Sequence, residues 1–236
     1  DDMELERERG ITIKSHPVKM KYKSSDSKTY EFNLIDTPGH VDFTYEVSRS
    51  LSACEGAILV IDAAQGIQAQ TIANVNLAFD HNLAIIPIIN KIDLPAADPE
   101  AVMEQLEEVL AIPKEEVVLC SAKEGIGIDE ILEAIKDRVP PPVEPEEDGT
   151  SALIFDSSYD VYRGVVVYLR MMKGSLKRGD TIKLFANKRT TEVKEVGFFE
   201  PNMKAGNKIT AGSVGYIIPN IKNPADTKIG DTITDT

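Results

Sequence analysis

The first 140 residues alternate between two hydrophobic rhythms. Short unbroken apolar runs, "GAILVID" (56–62), "AIIPIIN" (84–90) and "VVLCS" (117–121), have the character of parallel strands buried on both faces. Between them the spacing turns helical. In "DPEAVMEQLEEVL" (98–110), Asp98 stands where a cap is needed and Pro99 at the first helical position. Val102, Leu106, Val109 and Leu110 then fall on one face. "GIDEILEAIKDR" (127–138) aligns Ile128, Ile131, Leu132 and Ile135 in the same way. Strands alternating with helices predict an α/β domain around a parallel sheet. The rhythm changes after about residue 149. "GVVVYLRMMKGSLKRGDTIKLF" (164–185) reads as two strands around a turn, and the Gly-rich stretches beyond it continue the pattern. A small antiparallel β-barrel is expected there.

Charge sharpens this division. The chain carries a formal −13, but residues 1–148 hold 30 acids against 13 bases, or −17, and residues 149–236 hold 9 acids against 13 bases, or +4. The seam is "RVPPPVEPEEDG" (138–149), a proline-rich acidic stretch suited to an extended linker. Two domains, 1–148 and 149–236, are expected. The acidic half is a poor match for nucleic acid and no feature calls for DNA, whereas the basic half is compatible with an RNA surface. No apolar run approaches the roughly 20 residues of a spanning helix. Cys54 and Cys120 both lie in apolar segments and are expected as buried, reduced thiols, which favours the cytosol.

In open α/β sheets, ligands bind beyond the carboxyl ends of the strands. The residues after each predicted strand are therefore the candidates for chemistry. "YEFNLI" (30–35) is followed by Asp36-Thr37-Pro38-Gly39-His40, "AIIPII" by Asn90-Lys91-Ile92-Asp93, and "VVLC" by Ser121-Ala122-Lys123. All three clusters are expected on one edge of one sheet. Singly, D-T-P-G is a serviceable turn, N-K-x-D an ordinary solvated loop, and S-A-K uninformative. Their joint order, each directly after an apolar strand, is far more specific.

That joint pattern resembles the P-loop GTPases. The resemblance implies that Asp36 holds Mg²⁺ through water and that the Gly39 amide meets the γ-phosphate of GTP. It implies that Asn90 and Asp93 read guanine, that Lys91 lies along the base, and that the Ser121-Ala122-Lys123 loop completes the pocket with the Ala122 amide on the guanine carbonyl. "ERERGITI" (6–13) upstream of D-x-P-G-H is similar to the translational GTPases within that class. Thr12 would then ligate Mg²⁺ in the triphosphate state, and His40 would orient the attacking water on the ribosome. The longer strings "HVDFTYEVSRSLSACEGAILVIDAAQGIQAQT" (40–71) and "NKIDLPAADPE" (90–100) are most similar to the LepA branch. "YRGVVVYLRMMKGSLKRGDTI" (162–182) carries the R-G-x-V and K-x-G-D elements of the second domain of such factors. Arg163 and Gly164 there suit a strand bend and a ribosome contact equally. The family implies a ribosome-associated GTP hydrolase acting in back-translocation or fidelity, in the cytoplasm, with some association with the inner face of the bacterial membrane. A non-catalytic ribosome-binding module, or a relative of elongation factor G or TypA, are the alternatives.

One departure matters. No G-x-x-x-x-G-K-[ST] occurs in the 236 residues. In the family that loop and the strand ahead of it precede the first switch. The 236 residues are therefore expected to be a fragment with weak nucleotide affinity of its own. The strands "YEFNLI" and "GAILVID" are each expected to lack one neighbour, to be covered by a segment ahead of Asp1 or by swapping or rearrangement.

Overall fold

The computed structural model describes residues 8, 12, 14–143 and 148–236. Of the R-G-I-T-I string only Thr12 falls among them, and residues 144–147 of the linker lie outside them. The chain divides into two compact units. One gathers Pro142–Thr236 with Glu31–Pro38 and the chain up to Lys21, and the other Tyr22–Tyr30 with Gly39–Pro141.

The α/β unit is built on β3 (Gly56–Asp62), β4 (Ala84–Asn90) and β5 (Val118–Leu119), parallel and in the order β3-β4-β5. The unbroken apolar runs follow from burial on both faces. Ile86 and Ile88 of β4 face α4 (Ile128–Arg138) through Ala134 and Ile135, while Ile89 and Ile61 face Val102 and Leu106 of α3 (Pro99–Leu110). A third cluster joins α1 (Thr44–Leu51) to α2 (Ala69–Asp80) through Val47, Leu51, Ala78 and Leu83. The α3 start signals operate as the sequence predicts: Asp98 Oδ1 accepts from the Ala101 amide at 3.1 Å and Pro99 opens the helix.

β1 (His16–Lys23) and β2 (Thr29–Asp36) form a separate two-stranded sheet. This corrects the expectation that Asp36 lies on the same sheet edge as the other clusters. Among the described residues no strand bridges β2 and β3, so β2 pairs only with β1 and β3 only with β4. Each lacks a second neighbour, as expected, and Val60 on β3 is left 60% exposed. The turn between β1 and β2 is fastened to α4 by one carboxylate. Glu133 accepts from Tyr22 Oη (2.7 Å), Ser24 Oγ (2.8 Å), the Ser25 amide (2.8 Å) and Lys136 Nζ (2.7 Å). Lys136 foremost, then the amide and hydroxyl donors, hold the Glu133 carboxyl far below the usual range. The same contact pushes the Tyr22 phenol up to about 12.

In the second unit six strands close on themselves: β10 (Thr190–Phe199), β13 (Val214–Pro219), β7 (Gly164–Lys173), β6 (Ser151–Asp160), β14 (Thr232–Thr234) and β9 (Thr181–Leu184), with β9 pairing back to β10. Every pairing is antiparallel, so the expected barrel is present. β7 shows why its sequence is apolar throughout. Val165, Val167, Leu169 and Met171 point into the barrel. Val166 and Tyr168 pack outside with Phe199, Tyr216 and Ile218. The stretch 164–185 is three strands rather than the two expected, because β8 (Ser175–Lys177) peels off to pair with β12 (Lys208–Thr210). Gly174 makes the break. Its φ of +67° and the Gly149 carbonyl, 2.4 Å from where a Cβ would stand, admit only glycine.

Candidate functional site

The loops after β4 and β5 are brought together by one side chain. Asn90 ends β4, and its Oδ1 accepts from the Lys91 amide (2.8 Å) and the Ala122 amide (3.0 Å). Two backbone N–H groups converge on that atom, which fixes the oxygen's orientation. Below it, Cys120 N donates to Ile89 O at 2.8 Å and Ile92 N to Cys120 O at 3.3 Å, lacing the loops along their backbones. Buried Ser121 adds a second tie: its hydroxyl donates to Asp93 Oδ1 at 2.6 Å and accepts from the Glu124 amide at 3.2 Å. The Ser121 bond holds the Asp93 carboxyl below the usual carboxylate range, so Asp93 is an acceptor-only group at neutral pH. Gly127 supports the turn behind Ser121, where a Cβ would stand 2.2 Å from Leu119 O. The Ala122 amide, expected on a guanine carbonyl, here donates to Asn90. The Lys123 ammonium lies 3.4 Å from Glu124.

Lys91 has a left-handed backbone, φ 68°, and its ammonium meets Asp62 Oδ2 at 2.6 Å. Asp62 is a residue that the sequence reading passed over. It ends β3 in register with Asn90, and its other oxygen accepts from the Ala64 amide at 2.8 Å. Lys91 first, then the amide, hold its carboxyl down. The available signal was its place: a fourth polar residue directly after an apolar strand.

The residues expected on the phosphate side are held less firmly. Thr12 Oγ1 donates to Asp36 Oδ2 at 3.3 Å, an exposed and long contact. Two adjacent hard oxygen donors fit Mg²⁺, which takes few protein ligands and keeps water and phosphate oxygens for the rest. Among the described residues no cluster of three or more His, Cys, Asp or Glu could hold a metal by itself. Gly39 is exposed, and a Cβ there would meet nothing within 4 Å. Its carbonyl accepts from Asn74 Nδ2 of α2 at 3.2 Å. His40 is half exposed; its Nδ1 accepts from the Asp42 amide at 3.2 Å, which leaves Nε2 for another partner.

In the barrel, Arg163 and Gly164 are placed by the backbone. Asp160 Oδ1 accepts from the Tyr162 and Arg163 amides, both at 2.8 Å, and Gly164 turns into β7 with φ +84°. The Arg163 guanidinium reaches Glu195 at 3.3 Å.

Comparison with known proteins agrees with this layout. The family described as the Elongation factor Tu GTP binding domain matches residues 1–141, and Elongation factor Tu domain 2 matches residues 164–234. The chain belongs to the elongation factor Tu family of GTP-binding domains. Within that family it is 61% identical to Elongation factor 4 of Protochlamydia amoebophila over 99% of its own length and 39% of that protein. It is 59% identical to Elongation factor 4 of Bacillus subtilis over 99% of its length and 38% of that protein, and 56% identical to Elongation factor 4 of Fusobacterium nucleatum over 99% and 39%. The chain thus spans about two fifths of the curated relatives that it matches. The resemblance to the LepA branch, which is elongation factor 4, and the α/β-plus-barrel fold hold across both family matches.

Proposed function

We propose that the chain forms part of a ribosome-associated GTPase of the elongation factor 4 type, which binds guanine nucleotide and hydrolyses GTP during protein synthesis in the cytoplasm. One observation carries this reading: Asn90, Asp93, Ser121 and the Ala122 amide converge beyond β4 and β5 into a cluster suited to one base edge. Asp93 offers two acceptor oxygens and no donor. Guanine presents a ring N–H and an exocyclic amine side by side to such a carboxylate, and adenine does not. Lys91, steadied by Asp62, lies along the base. With a base bound, the Ala122 amide would exchange its bond to Asn90 Oδ1 for the guanine carbonyl, with Lys123 flanking the loop.

On the phosphate side, Thr12 and Asp36 would hold Mg²⁺, Thr12 directly and Asp36 through water, and the ion would supply charge neutralisation at the phosphates. The bareness of Gly39 admits close approach of a phosphate to its amide. His40 positions the attacking water through Nε2. The GTP-binding part is taken as residues 1–148 and the barrel as 149–236, with the basic barrel facing the ribosome. The test is GTP turnover by a full-length protein containing this chain, measured with and without ribosomes. Strong stimulation by ribosomes is expected. Nucleotide-independent ribosome binding without turnover would overturn the reading in favour of a passive binding module.

A further inference from the structure

The turn holding Gly39 and His40, and the helix α1 that follows it, lie along one face of α2. Asn74, Ala78 and His81 stand at i, i+4 and i+7, in line along that helix and its cap. Ala78 packs with Val47 and Leu51 of α1, and His81 Nε2 lies 3.1 Å from the Ser48 hydroxyl. Two turns earlier, Asn74 Nδ2 donates to the Gly39 carbonyl at 3.2 Å. Asn74 is half-buried, and Val75 and Ala78 anchor its helix in the core, so the donor starts from a rigid base. Gly39 needs such a hold. A Cβ there would meet nothing within 4 Å, and glycine has the widest backbone freedom of any residue. Beyond it the chain is stiffer: His40 O accepts from the Phe43 amide at 3.0 Å, and His40 Nδ1 accepts from the Asp42 amide at 3.2 Å. The imidazole therefore turns with residues 40–43 as one body, and the Gly39–His40 peptide sets where that body points.

We propose that Asn74 is a positioning residue for GTP hydrolysis, acting by its hydrogen bond to the Gly39 carbonyl. That oxygen lies in the plane of the Gly39–His40 peptide, so fixing it fixes the plane. The His40 ring then has one direction for its Nε2, and the Gly39 amide, one residue's torsions away, loses most of its spread. The proposal rests on the GTPase reading above and adds a residue that acts through Gly39 and His40 rather than on the nucleotide. A misplacement of about 1 Å can cost about 10²-fold in rate. Loss of one neutral hydrogen bond leaves His40 present but loosely aimed, so a smaller loss, about tenfold, is expected.

The test compares Asn74→Asp and Asn74→Ala in the full-length protein, with ribosomes and saturating GTP. Asn74→Asp keeps the shape of the side chain and removes its donor. Each variant should lower ribosome-stimulated kcat by about tenfold and leave GDP affinity within about twofold. Binding of a β,γ-imido GTP analogue should weaken by roughly three- to fivefold, because only the triphosphate reaches the Gly39 amide. Adding Asn74→Ala to His40→Ala should lower kcat no further, since Asn74 acts through that ring. Asn76→Ala, exposed and two positions along on another side of α2, is the control and should match wild type. Normal stimulated kcat in Asn74→Asp overturns the proposal, as does a loss that adds in full to that of His40→Ala. An equal loss in Asn76→Ala, or equal losses of GDP and analogue affinity, overturns it too, because either marks general damage to the unit. Stimulated turnover by the wild-type protein checks the GTPase reading separately. With that turnover intact, an unaffected Asn74 variant removes only the role of Asn74.

Discussion

The loops after β4 and β5 and the turn after β2 are all rich in candidate ligands, yet they are built differently. In the first, Asn90 and Ser121 each tie two loops together, the backbones are laced, and Asp62 fixes Lys91 from a neighbouring strand. In the second, Thr12 and Asp36 share one long exposed contact, Gly39 stands open and His40 is half exposed. The difference matches the tasks proposed for them. A base is the same in the di- and triphosphate forms, so its pocket gains from being set in advance. A γ-phosphate is present in one form only, so its contacts must form and dissolve with it.

The sharpest way to break the comparison is to alter the pre-set side. Asp93→Asn replaces an acceptor-only group by an amide that offers a donor. In the full-length protein, guanine nucleotide affinity should fall roughly 10²-fold and xanthine nucleotides should be preferred, because xanthine has a carbonyl where guanine has its amine. Equilibrium titration with GDP and xanthosine diphosphate checks this, and unchanged GDP affinity removes Asp93 from the base site. On the other side, His40→Ala should leave GDP affinity within about twofold. Ribosome-stimulated kcat should fall by about 10²-fold, since positioning of water acts on the transition state. A variant with normal stimulated turnover assigns that role to another group.

Smaller effects grade the supporting residues. Asp62→Asn should weaken GDP binding by roughly three- to tenfold with base preference intact, because it loosens Lys91 rather than the recognition edge. Combining it with Lys91→Ala should add little, and full additivity would show that the two act separately. Glu133 offers a pH handle on the β1–β2 turn. Its folded carboxyl titrates far below the unfolded value of about 4.3. Its contribution to stability is therefore complete above that value and is lost as pH falls below it. Urea melts of wild type and Glu133→Gln should differ at pH 6 and converge as pH falls from about 4 towards 2. A constant difference across that range would mean that the carboxylate charge is immaterial.

How much of this was legible in the sequence depends on how local each feature is. The Asp98 cap, the apolar strands and the polar groups at their ends are written in contiguous residues, and they were readable. Pairing between distant strands is not, which is why Asp36 was expected on the same sheet as Asn90. The break at Gly174 was hidden because the glycine is demanded by the Gly149 carbonyl, 25 positions away. The Glu133 tether joins residues 108 to 111 apart through three donors that each look like ordinary surface residues. Asp62 was overlooked because its role depends on the unusual backbone of Lys91, which no local pattern announces.

Hydrogen exchange on the full-length protein, with and without GDP and a non-hydrolysable GTP analogue plus Mg²⁺, tests the contrast between the two regions most directly. Amides of Ile89–Ile92 and Cys120–Ala122 should be protected to a similar degree in every state. Amides of Asp36–Phe43 should exchange fast without nucleotide and slow down most with the triphosphate analogue. Equal protection of Asp36–Phe43 in all states, or slowing confined to Cys120–Ala122, would contradict a base pocket set in advance and a phosphate side that forms on binding.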